Sequence, residues 1–436
     1  MFLSGRFPLL VATGALPVVL LSTVGVSPWM TLALWIIACV AVLAVDVLAA
    51  PRPSDLRVAR DVPARAKLGD TVRTRLQLIN MGTRTVRARV RDAWQPTAQP
   101  PASRARVTIP PHESRILDSP LVPRRRGELR SEFATVRILG PLGFAGRQAN
   151  IVAVGAVRIL PPFRARRHLA SRVQRLRELD GSTSLQVRGQ GTEFDSLREY
   201  VRGDDVRSID WRATARAATT MLRTWRPERD RHVTILIDTG RTAAARVGDE
   251  TRLDATFEAA LLLAALANRA GDHVHVLAYD RVVRARVTGV DGARLLPEIT
   301  DALAGVEAQL IDTDWDHAFD EARRLARRPS LVVVLTAQES LASSRGFLTR
   351  LSALSGGATT VLVGTVTDAA LADAAREGGS VTDLYRAAAA EATQQDAERV
   401  ARAMSRAGAE SLADTPEALP PRIADRYLAL KKAGRL

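Results

Sequence analysis

Cysteine is all but missing from this chain of 436 residues: Cys39 stands alone, so neither an intrachain disulfide framework nor a cysteine-based zinc site can form. Lysine is nearly as scarce. Lys67, Lys431 and Lys432 are the lysines among 62 basic residues, so the net charge of +15 is an arginine charge. Neither zinc-finger spacing nor an aromatic RNA-binding motif accompanies the basic charge, which argues against a nucleic-acid reader. No nucleic acid is expected, and attraction to acidic headgroups suits the charge better. There is no Gly-x-Ser-x-Gly elbow and no phosphate-binding loop. Gly189 and Gly191 complete no dinucleotide pattern. The six histidines are scattered, and His273 and His275 alternate on one strand face without a third ligand nearby in sequence. No catalytic constellation is read, and the chain is expected not to be an enzyme.

Long apolar runs, by contrast, are present at the start. The stretches 7–26 and 29–50 share a single charge, Asp46, and each has the roughly 20 residues a helix needs to cross a bilayer. No small-residue cleavage site separates them, as it would after a secretory signal. Residues 1–52 therefore read as a two-helix transmembrane anchor. Arg6 precedes the first stretch and Arg52, Arg57 and Arg60 follow the second, while the link at Ser27 and Pro28 carries no positive charge. The bias of basic residues to the inner side places both ends, and the soluble domains, in the cytoplasm of a multi-pass cell-membrane protein. Asp46, about one turn from the interface, is expected to reach headgroups or water.

Residues 53–163 alternate apolar and polar side chains in short runs broken by Gly, Pro, Asn and Ser, the pattern of an antiparallel β-sandwich. Residues 164–231 form a connector. From His232 the chain reads as strand 232–238, helix 251–270, strand 273–279, a short antiparallel strand 281–288, helices 292–304 and 315–328, strand 330–336, a helix from 344 and strand 359–365. Strands with crossover helices predict a largely parallel, Rossmann-like α/β domain over 232–366, its working face at the strand carboxyl ends. Residues 367–436, rich in Ala, Arg and Glu, are expected as a helical basic tail. The fold class is thus multidomain: a transmembrane α-hairpin, a β-sandwich, an α/β domain and the tail.

The densest weave of charge and aromatic residues lies in the connector, at Arg198, Glu199, Tyr200, Gly203, Asp204, Asp205, Arg207, Asp210 and Trp211. One reading is structural. Arg198, Arg207, Arg212 and Arg216 would pair with Glu199, Asp204, Asp205 and Asp210 and pin a loop under Tyr200 and Trp211, with Asp204 or Asp205 capping a short helix. The other is catalytic, since clustered carboxylates share protons or bind a cation.

Together with the Arg125, Arg126, Gly127 run, the turn from Pro141 to Phe144 and the apolar N-terminus, this block resembles the domain-of-unknown-function family DUF58, up to about residue 365. Those are bacterial membrane proteins with a von Willebrand factor A-like domain, usually found beside a MoxR-type AAA ATPase. The resemblance implies that Asp238, Thr242 and Thr313 stand at a metal-ion-dependent adhesion site of the kind that holds Mg²⁺. That site is degenerate here, because Gly240 takes a serine position and Ala337 stands where an Asp is expected. The expected function is a membrane-anchored scaffold or adaptor binding other proteins, with a MoxR-type ATPase as partner in chaperone-like complex assembly. The alternative is a metal-dependent hydrolase using Asp204, Asp205, Asp210 and Asp238.

Overall fold

Two apolar segments too short to bury a core of their own open the chain, and the computed structural model folds them back to back as helices. It describes all residues but 102–103, 184–192, 203, 227–230, 327, 356–358 and 377–378. Strand β1 (Phe2–Leu3) precedes helices α1 (Phe7–Ala12), α2 (Ala15–Ser22) and α3 (Pro28–Ala49). The first apolar stretch, expected as one spanning helix, is divided at Thr13 and Gly14. Thr13 Oγ1 donates to the Leu10 carbonyl at 2.7 Å, the local side-chain bond that competes with a regular helix. Residues 7–22 reach roughly 24 Å, short of the ~30 Å hydrocarbon layer. Among the described residues α3 is the helix long and apolar enough to cross a membrane, so one such helix replaces the two expected.

The chain divides into units Met1–Pro162 and Phe163–Leu436. In the first, strand alternation sets the layers. Strands β2 (Leu56–Asp61), β3 (Arg65–Lys67), β4 (Val72–Asn80), β5 (Val86–Asp92), β6 (Ala105–Ile109), β7 (Ser114–Leu121), β8 (Gly127–Leu139) and β9 (Ala145–Leu160) follow the helices. They form an antiparallel three-stranded sheet, β2-β4-β7, and a six-stranded sheet in the order β1-β9-β8-β5-β6 with β3 parallel to β9. Every second side chain points inward. Leu56, Leu76 and Leu78 from the smaller sheet share one core with Val86, Ala88, Val90, Val136 and Ile138 from the larger, and each fully buried aliphatic contributes roughly 1.5–3 kcal/mol. Arg60 also points inward. Its buried guanidinium pairs with Asp92 and lies 5.2 Å from the Trp94 ring centre, while the Trp94 indole donates to Asp92 at 2.8 Å.

Asp46 departs from its expected place at the interface. It is fully buried, and its carboxylate accepts from the backbone amides of Leu142, Phe144 and Ala145, each at 2.8 Å. The loop 140–145 turns so tightly around it that a side chain on Gly140 would stand 2.2 Å from Asp46 Oδ1. On the same loop Ser4 Oγ donates to the Gly143 carbonyl at 2.6 Å and Phe2 pairs with Gly146. Both ends of the helical segment are thus fixed to one turn. Water and lipid are replaced by three amides because a buried carboxylate requires donors.

In the second unit the leading segment packs on the α/β core. Glu258, buried on α6 (Arg252–Arg269), accepts from Arg164 N and Ala165 N at 3.1 and 2.9 Å, and Leu176 of α4 (Leu169–Thr183) joins the same cluster. A two-stranded sheet follows, β10 (Glu193–Glu199) with β11 (Met221–Arg226), enclosing α5 (Trp211–Ala217). Then come β12 (His232–Asp238), the small hairpin β13 (Arg246–Val247) and β14 (Glu250–Thr251), α6 (Arg252–Arg269), β15 (His273–Tyr279) and β16 (Val283–Val287). They lead to α7 (Leu295–Ala304), α8 (Trp315–Leu325), β17 (Leu331–Leu335), α9 (Arg345–Leu354) and β18 (Thr360–Val366). These elements fall within a few residues of the sequence reading. The segment expected as a tail is built into the unit instead. After α10 (Ala369–Ala374) and α11 (Val381–Arg406) it supplies β19 (Glu410–Asp414), parallel to β18 at the sheet edge, and α12 (Leu419–Lys432), whose Ile423 and Tyr427 are buried against α6. The sheet order is β16-β15-β12-β17-β18-β19, with β16 antiparallel. Clusters of apolar side chains cover both faces, α6, α7 and α12 on one and α8, α9 and α11 on the other.

Candidate functional site

Within the signature block the acids are bonded inward. Asp204 Oδ1 takes Arg198 Nη2 at 2.6 Å and its Oδ2 takes Val201 N at 2.9 Å. Asp205 accepts from Arg207 N at 3.0 Å, capping a short turn over Val206–Ser208. Asp210 caps α5 by accepting from Arg212 N and Ala213 N, both at 3.0 Å, and its second oxygen takes Arg223 at 2.7 Å. The Ala213 amide first and the Arg223 guanidinium second hold the Asp210 carboxyl below its ordinary value. Tyr200 N donates to the Thr220 carbonyl at 2.7 Å, which ties the block across β10 and β11.

Three of the expected pairings differ. Arg207, Arg212 and Glu199 are exposed, and Asp210 takes Arg223, a residue the sequence reading passed over because it lies 13 positions away on the returning strand. Nor does the loop bury its indole: Trp211 is 71% exposed, beside Val201 at 62% and Val206 at 60%. The acids are spent on shaping the backbone, and the apolar side chains are what the block presents. Gly203 lies outside the described residues, as do Gly189 and Gly191.

The second candidate lies where the carboxyl ends of β12 and β17 open. Asp238 is buried and gathers both threonines the sequence singled out: Thr313 Oγ1 donates at 2.5 Å and Thr242 Oγ1 at 3.4 Å, with Gly240 N at 2.8 Å. Thr336, unnoticed in sequence, donates from the end of β17 at 2.6 Å; its one signal is a hydroxyl directly after an apolar strand. Burial pushes the Asp238 carboxyl above its ordinary value, and the Thr313 and Thr336 hydroxyls pull against that. At Gly240 a Cβ would stand 2.3 Å from Thr313 Oγ1, so a side chain there would compete with that threonine for one space. The cleft outside, about 250 Å³, is lined by Arg241, Asp312, Trp315, Ala337, Gln338 and Glu339 among others.

Mg²⁺ binds through hard oxygens around carboxylate charge, and this donor set does not fit it. Asp238 is the one carboxylate at the centre, its oxygens already take four hydrogen bonds, and Asp312 is tied to Arg241 Nε at 2.5 Å. The half-buried Arg252 places a second cation nearby. Among the described residues no group of three His, Cys, Asp or Glu side chains converges as metal ligands. Asp280, close to Asp238 along the strand ends, is fully buried yet sits below its ordinary value, because Arg284, the Arg281 amide and Thr239 outweigh the burial.

The histidines are less scattered than in sequence. His232 stacks on His273 and His275 with ring centres 5.3 and 5.2 Å apart, and His232 Nδ1 lies 2.9 Å from His275 Nε2. Among the described residues they belong to no group of three or more His, Cys, Asp or Glu side chains that could hold a metal ion.

A family model described as "Protein of unknown function DUF58" matches residues 196–413, half of the chain. No curated protein matches. Among solved structures, the CARDB domain of a Pyrococcus furiosus protein is 21% identical and covers 24% of this chain and 94% of its own, with a TM-score of 0.19. A FixG-related protein from Vibrio parahaemolyticus is 7% identical, covering 24% and 96%, with a TM-score of 0.18. A β-glucosidase from Listeria innocua is 12% identical, covering 24% and 16%, with a TM-score of 0.15. At such scores these likenesses bear on neither fold nor function.

Proposed function

This chain belongs to the family of unknown function DUF58, and from that premise we propose that it is a membrane-anchored, cytoplasm-facing adaptor that binds other proteins. The observation that carries the reading is the division of labour in the signature block. Asp204, Asp205 and Asp210 are consumed in caps and ion pairs, whereas Val201, Val206 and Trp211 stand in solvent. Exposed apolar residues on one short segment, a Trp among them, are the composition of a binding hot spot. A hydrolase would need the carboxylates free, so that alternative draws no support.

The partner proposed is a MoxR-type AAA ATPase, the association implied by the family resemblance, in a chaperone-like assembly role. Residues 53–163 are read as a β-sandwich and 232–366, completed by β19 and α12, as a von Willebrand factor A-like domain. The parallel order and the threonine-ringed Asp238 at the strand ends support this. The anchor is α3, with α1 and α2 beside it. Apolar exposure along α3 and the basic flanks support an inner-side body.

Full-length protein isolated from membranes tests the reading. Trp211→Ala combined with Val206→Ser should reduce co-purification of the ATPase at least about tenfold, the ordinary loss for a hot-spot truncation, with the thermal midpoint unchanged. Undiminished recovery would remove the block from the interface.

A further inference from the structure

The outward face of the six-stranded sheet in the first unit holds a charge arrangement that its own fold does not explain. Arg87, Arg89 and Arg91 alternate outward along β5 while Val86, Ala88 and Val90 point to the core. In the ladder Arg89 lies directly opposite Arg106 of β6 on one side and Arg137 of β8 on the other. Three guanidinium side chains thus stand abreast on three adjacent strands. Like charges placed directly opposite each other destabilise a sheet. Among the described residues no carboxylate pairs with Arg87, Arg89, Arg91 or Arg106. Arg137 is held upright by Gln148 at 2.6 Å and lies 5.4 Å from the Phe2 ring centre.

The position of this face supplies the reason. Phe2 and Leu139 both pair with Gly146, at the turn that grips Asp46. The Arg106, Arg89, Arg137 row is two residues further along, roughly 7 Å. Arg87 falls opposite Leu139, at the level of the turn itself. Arg147 donates to the Val47 carbonyl and Arg84 to the Ala49 carbonyl, each at 3.1 Å, at the very end of α3. The array therefore begins at the foot of the apolar helix and extends about one screening length from it, ~8 Å at physiological salt.

We propose that this arginine face binds the headgroups of anionic phospholipids, making the sheet a second membrane contact beside α3. It rests on reading α3 as a membrane span. Each basic residue near an anionic leaflet strengthens attraction roughly fivefold, and phosphate oxygens suit the guanidinium fork.

The test uses the full chain in nanodiscs, with Cys39→Ser to clear the native thiol and bimane attached through Thr108→Cys, next to Arg87 in the ladder. Lipid carrying a headgroup spin label is the quencher. Quenching is expected to rise when phosphatidylglycerol replaces phosphatidylcholine and to return to the phosphatidylcholine level in 1 M salt and in R89Q/R106Q/R137Q. The corresponding triple lysine variant should keep most of the rise. The glutamine variant relieves repulsion and should melt no lower than the parent. If it fails to fold, the lysine variant and the salt series still decide. Equal quenching in both lipids, or a rise that survives the glutamine variant, overturns the proposal. So does tight binding of a single-stranded oligonucleotide with no response to lipid. A chain that stays in solution without detergent and never enters nanodiscs would instead overturn the reading of α3.

Discussion

Asp46 and Asp238 are buried carboxylates with opposite surroundings. Asp46 is ringed by backbone amides, so truncating it leaves three donors facing no acceptor. Asp46→Ala is expected to cost the first unit roughly 3 kcal/mol or more, and Asp46→Asn, which keeps one acceptor oxygen, to cost less. Thermal melts of the detergent-solubilised chain check both. Asp238 is bonded mainly by hydroxyls, and burial lifts its carboxyl above 3.8. The folded protein then holds that proton more tightly than the unfolded chain. Its stabilising share is complete below the unfolded value and is lost as pH rises through the lifted one. Asp210 and Asp280 run the other way, their share being present above the unfolded value and lost as pH falls through the depressed one. Denaturant melts of wild type and Asp238→Asn between about pH 4 and 8 should show the variant gaining relative stability as pH rises. A constant difference would mean that Asp238 keeps one protonation state throughout.

Elements with strong periodicity were legible before any coordinates. The apolar run His232–Asp238 is bounded by charge and ends on an Asp, and it is β12 to the residue. β16 and α8, read at 281–288 and 315–328, lie within three residues of those bounds at Val283–Val287 and Trp315–Leu325. β19 was not legible, because Glu410–Asp414 is short and only partly apolar and follows a 26-residue helix rich in Ala. Its strand character comes from the open edge of β18, a tertiary cause that propensity does not carry. The pairing of Asp46 with the turn around Gly143 was invisible for a related reason. Both pieces stood out, but nothing local says that residues 96 to 99 positions apart meet. In the signature block Asp204, Asp205 and Asp210 pair and cap as the structural reading expects, while Trp211 faces solvent instead of covering the loop. If β19 and α12 are integral, deleting residues 407–436 strips Leu412, Leu419, Ile423, Tyr427, Leu428 and Leu430 from the core. It also breaks the buried Lys431–Asp272 pair at 3.0 Å. Six such side chains amount to roughly 10 kcal/mol, comparable to the whole stability of a domain. The truncated chain should show no cooperative melt for the second unit, whereas removal of a true tail would leave its midpoint in place.

At the scale of the molecule, the two units solve the same problem with different bonds. The first spends its arginines on the outside of a sheet and seals one, Arg60, inside it with Asp92; the second buries aliphatic strands between helices. The second parallel partner of β18 begins only at Glu410, after the two helices of the crossover. On a translating ribosome that edge therefore waits for its neighbour. At roughly 5–20 residues per second, the backbone amides and carbonyls of Thr360–Val366 that face away from β17 go without a mate for seconds after they are made, and the nascent chain needs shielding from strand exchange with other polypeptides until its last stretch emerges.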